Sequence, residues 1–192
     1  MSTKEQFVFV HASPEDANMF HLYQTVLHGE NDIYFRNSTE CERLGTDKVK
    51  AFILESLKSP HSGLFILKDL TTKEIYAHIH IQVGQTERNR HKAELYIGVL
   101  KQFQSIGVGR KMMEIADFWA RKEGIERLQL SVFANNEKAL NFYLKHGFEV
   151  EGTLKNGVKI ADGEYIDEII MGKMIQPIQY ENTVEQNLAQ QA

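Results

Sequence analysis

The chain has one cysteine, three prolines, one tryptophan and no long apolar run among its 192 residues. Each scarcity excludes something. A lone Cys41 cannot form an internal disulfide, so the fold holds without covalent cross-links and a reducing cytoplasm is the natural setting. Cys41 lies in a polar stretch with no activating partner in view, which favours an incidental thiol over a reactive one. No linker rich in proline, glycine or serine divides the chain, so residues 1–176 are expected to form one domain. The segment 177–192, rich in Gln and Asn, reads as a polar tail that frays or docks loosely. No apolar stretch approaches the ~20 residues needed to span a bilayer, and the polar start Met1–Gln6 lacks the apolar region of a signal peptide. No membrane partner is expected. An excess of positive charge is missing too. The formal net charge is −4, whereas proteins that bind a phosphate backbone carry a basic surplus, so nucleic acid is not an expected partner. No His/Cys spacing points to a metal.

What is present is a core-forming pattern. Hydrophobic residues make up 42% of the chain, enough for one real core. Phe7–Val10 reads as a strand, and Ser13-Pro14-Glu15 as a helix start with cap, first-turn proline and acid. The helix that follows places Met19, Tyr23, Val26 and Leu27 on one side. Thr46 can cap a second helix, with Val49, Phe52, Ile53, Ser56 and Leu57 at helical spacing. Gly63–Lys68 and Ile75–Val83 form a hairpin of strands, and Glu94–Leu100 is another strand. A helix starts near Gly107, buries Val108, Met112, Ile115, Ala116 and Trp119, and ends at Gly124. Leu128–Phe133 is a strand and Asn136–His146 a helix. The last strands are Phe148–Leu154 and Tyr165–Met174. Strands and helices alternate only in the middle, which predicts an α/β fold with a mixed sheet and helices on both faces.

The segment Lys101–Lys111 carries the first chemistry. Gly107 and Gly109 open an amphipathic helix. Amides at a helix start lack internal partners, the helix dipole favours an anion there, and glycine lets a phosphate approach the backbone. Arg110 and Lys111 add positive charge in the first turn, where the dipole disfavours it. The competing reading is a turn whose glycines only permit tight packing. A Walker loop needs Ser or Thr after Gly-Lys, and Arg110 follows Gly109. A dinucleotide fingerprint needs a third small residue, and Met112 stands there. Both patterns fail.

Gln104-Ser105-Ile106-Gly107-Val108-Gly109, followed downstream by a strand, Asn136-x-x-Ala139-x-x-x-Tyr143 on a helix and Gly147-Phe148, resembles the GNAT superfamily of N-acetyltransferases. Gly163–Glu168 is similar to the bacterial branch of ribosomal-protein and small-amine acetyltransferases. The resemblance is strong over about Ile75–Met174. It implies a mostly antiparallel twisted sheet with a splayed fourth and fifth strand, and acetyl-coenzyme A as co-substrate. By position, Ile97, Gly98 and Val99 would lie where the fourth strand bulges, their backbone pairing with the pantetheine arm, with the Val99 N–H facing the thioester oxygen. The amides of Ser105, Ile106, Gly107, Val108, Gly109 and Arg110 would hold the pyrophosphate, and Gln104 would shape the turn. Asn136 would cap its helix and bind the cofactor arm.

The implied reaction is direct attack of an amine on the thioester. Tyr143 matches the family tyrosine that protonates the leaving thiolate; the plain alternative is a core aromatic. The family's carboxylate in the fifth strand is replaced by Ser131, so the base is sought elsewhere. Glu94 comes first, then His78 and His80. The acceptor is expected to be a small-molecule amine or polyamine, or else a peptide N-terminus or lysine. A non-catalytic acyl-coenzyme A sensor is the rival class. Phe35 would line the acceptor pocket or pack on the core. A homodimer follows from the resemblance alone.

Overall fold

A computed structural model describes residues 6–30, 33–34 and 36–176. The element order is β1 (Phe7–His11), α1 (Ala17–Glu30), α2 (Ser38–Lys58), β2 (Gly63–Asp69), β3 (Ile75–Val83), β4 (Lys92–Val99), α3 (Val108–Glu123), β5 (Arg127–Phe133), α4 (Glu137–Lys145), β6 (Glu149–Ala161) and β7 (Glu164–Met174). The seven strands form one sheet in the order β1-β2-β3-β4-β5-β7-β6. Every pairing is antiparallel except β4 with β5. The expected mixed, mostly antiparallel sheet is therefore the one found.

Strand alternation sorts the core into two layers. Ala77, Ile79 and Ile81 of β3, with Ala93 and Leu95 of β4 and Leu128 and Leu130 of β5, meet Met112, Met113, Ala116 and Ala120 of α3. On the opposite face Leu64 and Ile66 of β2 meet Phe20, Tyr23 and Leu27 of α1 and Val49 and Ile53 of α2. Two pairs of helices thus cover two faces, but α1 and α2 reach only as far as β4.

The start of α2 departs from the sequence reading. α2 begins at Ser38, eight residues before the expected Thr46 cap. Asn37 caps it, its Oδ1 accepting the Glu40 N–H at 2.9 Å while Glu40 Oε2 accepts the Asn37 N–H at 2.9 Å. Gly45, at φ 72° and ψ 160°, breaks the helix, and the stretch from Thr46 onward is its second half. The buried stripe of α2 is Val49, Ile53 and Ser56; Phe52 and Leu57 face solvent. Val26 of α1 is exposed as well. β6 runs on to Ala161, beyond the expected Leu154, as a largely exposed edge strand paired with β7. Phe35 and the tail 177–192 lie outside the described residues. Among those described, no helix is long and apolar enough to cross a membrane.

Candidate active site

The cleft comes from a disagreement between two strands. β4 pairs with β5 over three residues only: Lys92 with Arg127, Ala93 with Leu128 and Glu94 with Gln129. Beyond Glu94 the strands part. β4 keeps an unbroken register with β3 from Ala93 to Val99, so the opening is a divergence from β5 and not the expected bulge in β4. Leu95–Val99 therefore present one backbone edge to open space, as an edge strand does.

At the far end of β4 sits the glycine turn. The first hydrogen bond of α3 runs from the Lys111 N–H to the Gly107 carbonyl, at 3.1 Å. The amides of Val108, Gly109 and Arg110 precede it and have no intrahelical partners. Ser105 (φ 63°) and Gly107 (φ 96°) take left-handed backbone, which curls the exposed turn over the helix start. The two glycines have different reasons. Gly107 is there for its φ, since a Cβ at that position would meet nothing within 4 Å. Gly109 is there for closeness, because a Cβ would lie 3.1 Å from the Phe142 ring of α4. The competing packing reading thus holds for Gly109 without removing the anion cradle. Arg110 and Lys111 share Glu114, at 3.6 and 3.0 Å, which offsets their misplacement at the positive helix end.

Gln104 does shape the turn. Its Nε2 donates to the Val99 carbonyl at 3.0 Å, and its Oε1 accepts from Lys138 Nζ at 2.8 Å, so one side chain ties β4, the turn and α4 together. Asn136 caps α4 through Oδ1, which accepts the Ala139 N–H at 3.1 Å. Tyr143 packs on Phe148 and Phe142, with ring centroids 5.7 and 5.4 Å away. Burial pushes its phenol well above the ordinary tyrosine range, helped by the nearby Tyr34.

Tyr34 was not legible in the sequence, because it sits between two helices with no motif around it. Its ring packs 4.9 Å from His28. Burial drives its hydroxyl up to about 12, with the nearby Val99 backbone working the other way.

The base candidates separate by environment. His78 bonds to the Tyr23 hydroxyl at 2.9 Å through Nδ1, pressed against Gly98, where a Cβ would meet His78 Cε1 at 2.8 Å. Gly98 thus lets α1 and His78 close on β4. Burial lowers His78 to about 3, aided by His80, and burial lowers His80 to about 4. Both rings are neutral at pH 7, but such weak bases are poor proton acceptors for an ammonium. Glu94 is half-buried at the vertex of the cleft, and its charge helps to raise the Tyr96 phenol, after burial.

The two histidines make a prediction about stability. Their folded pKa values lie below the unfolded value near 6.5, so between pH 6.5 and 4 the unfolded chain binds more protons. Stability is complete above pH 6.5 and falls as the pH drops through that window. The His80 contribution alone amounts to about 3 kcal/mol once the pH is below 4. Urea unfolding at pH 7, 5.5 and 4.5 should show the midpoint falling, and less steeply in His80→Gln.

The site so far consists of a glycine turn with free helix-start amides, a strand edge leading away from it, a buried phenol on α4 and a carboxylate where β4 and β5 part. Comparison with known proteins agrees. Residues 23–148 match the Acetyltransferase (GNAT) family, and the chain belongs to that family. It is 27% identical to the L-amino acid N-acetyltransferase AaaT of Escherichia coli K12, over 88% of this chain and 98% of the relative. The crystal structure of a GNAT-family acetyltransferase from Streptococcus pneumoniae superposes with a TM-score of 0.81 at 28% identity, covering 89% of this chain and 100% of the other. The yncA protein of Salmonella typhimurium, solved with its cofactor acetyl-coenzyme A, shares the fold at a TM-score of 0.75 and 14% identity, over 92% and 98% of the two chains. The chain is an acetyl-coenzyme A-dependent N-acetyltransferase. Among the described residues no group of His, Cys, Asp or Glu could hold a metal ion.

Proposed function

We propose that this enzyme acetylates the primary amine of a small molecule by direct attack on acetyl-coenzyme A. The observation that carries the reading is the divergence of β4 from β5 between the glycine turn and Glu94. The cofactor's pyrophosphate binds the amides of Ser105 to Arg110, and its pantetheine arm pairs with the free edge of Ile97, Gly98 and Val99, in the manner of an added strand. The Asn136 Nδ2, left over after the cap, donates to that arm. The acetyl end then lies toward Glu94.

An amine is nucleophilic only when neutral, and free alkyl amines hold their proton up to pH ~10. Glu94, directly or through water, takes that proton. The Val99 amide stabilises the oxyanion. Tyr143 gives its proton to the departing thiolate. The L-amino acid activity named for the Escherichia coli relative supports a small acceptor over a protein one. The same reading treats residues 1–176 as one domain, in the cytoplasm, working as a homodimer. Val150, Leu154, Ile160 and Tyr165, exposed along β6 and β7, support a partner copy.

The test is thiol release from acetyl-coenzyme A with a panel of amino acids, amines, polyamines and peptides. Turnover with small amines supports the reading. Turnover confined to peptides replaces the acceptor class, and cofactor binding without turnover on any amine favours the sensor.

A further inference from the structure

Three rings from three elements meet beside Glu94. Phe52 of α2 stands edge-on to His80 of β3, with centroids 5.1 Å apart at 84°, and Tyr96 of β4 lies nearly parallel to His80 at 5.8 Å and 26°. His80 is 6% exposed, whereas Phe52 and Tyr96 are 38% and 42% exposed. The buried ring thus lies between two open ones. Ser56 approaches His80 Nε2 at 3.4 Å and also donates to the Phe52 carbonyl at 2.9 Å, which steadies the floor. Tyr96 and Glu94 stand two residues apart on β4, on the same side of the strand. Two large rings standing in water at the vertex of a catalytic cleft leave apolar surface uncovered, and covering it would be favourable.

We propose that Phe52 and Tyr96 are the specificity wall of the acceptor subsite, taking an apolar side chain carried next to the reacting amine. The proposal rests on the acetyl-transfer reading above. Three observations fix the class of occupant. The floor is the buried His80 ring, set between the two open rings, and not a carboxylate. The carboxylate at this end of the cleft is Glu94, placed for the amine itself. A polyamine would need further carboxylates along its length, and the wall offers aromatic carbon instead. The acceptor that fits has its amine at Glu94 and a branched aliphatic or aromatic group against the two rings.

Steady-state kinetics on the whole chain test this with glycinamide, leucinamide, phenylalaninamide and spermidine as acceptors. Phe52→Ala should raise KM for leucinamide and phenylalaninamide by roughly ten- to a hundredfold, the scale of a lost apolar pocket contact. KM for glycinamide should stay within about twofold, since glycinamide has no side chain to place. Phe52→Leu should recover much of the loss. Tyr96→Ala should raise KM for the same two acceptors, and Tyr96→Phe should recover much of that loss. Affinity for acetyl-coenzyme A, measured by calorimetry, should be unchanged throughout, which separates this effect from misfolding. Equal KM changes for all acceptors, no change for any, or a preference for spermidine overturns the wall. Cofactor binding with no turnover on any amine instead removes the acetyl-transfer reading, and the wall falls with it.

Discussion

Gly107→Val is expected to raise the dissociation constant of acetyl-coenzyme A at least about a hundredfold, ~2.7 kcal/mol, measured by calorimetry. Thermal melting should shift by no more than a few degrees. The two readouts part because of where Gly107 sits. Its φ of 96° is one that a β-branched residue adopts only under strain. A Cβ there meets nothing within 4 Å, so the core does not hold the turn in place. The turn relaxes, its amides point elsewhere, and the cradle is lost at little cost to the fold. Gly109→Ala is the natural contrast. Its Cβ would press on Phe142 at 3.1 Å, so α4 has to give and stability should fall along with affinity. Unchanged cofactor binding in Gly107→Val would remove the phosphate role of the turn.

The second large effect is on turnover. Tyr143→Phe should lower kcat about a hundredfold, within the range of general acid catalysis, while acetyl-coenzyme A affinity stays near wild type. Burial raises the phenol far above neutrality, so it is protonated at every working pH and can donate. The same burial would seem to oppose the transfer, since a free thiol has a pKa of ~8.5. The departing thiolate, however, forms in the same dry site and is destabilised by it as well. The proton therefore moves between two groups shifted in the same direction. A rate profile between pH 6 and 9 should show no alkaline limb from Tyr143. An unaltered kcat in the phenylalanine variant would return Tyr143 to the role of a core aromatic.

How much of this could be read from the sequence depended on the range of the interaction. Gly107, Asn136 and Gly124 act within one turn of chain, and the structure places each at the helix end expected of it. Strand β3 is legible to the residue because Ile75, Ala77, Ile79, Ile81 and Val83 are apolar at every second position. The start of α2 was not, because Gly45 interrupts the period, although the Asn37–Glu40 box that caps it is local. β6 was cut short because Lys155–Lys159 are polar and exposed, and their pairing with β7 depends on a partner strand. The site divides the same way. The glycine turn is a continuous segment, so its pattern is legible in the sequence. Tyr34, and Phe52 and Tyr96 on two sides of His80, come from separate elements, and no spacing rule connects them. The histidines of β3 look like bases by type, and it is their burial that lowers them out of the neutral range.

The three residue pairs that join β4 to β5 have a mechanical meaning as well. They are the spine of a book whose covers are β1–β4 and β5–β7. Few backbone bonds cross that spine, so the two covers are joined chiefly by the core they share, where Ile79 and Leu95 on one side and Leu128 and Met171 on the other meet Met112 of α3. On the acetyl-transfer reading proposed above, a pantetheine arm along β4 would fill the gap beside the spine and make the co-substrate a temporary part of the scaffold.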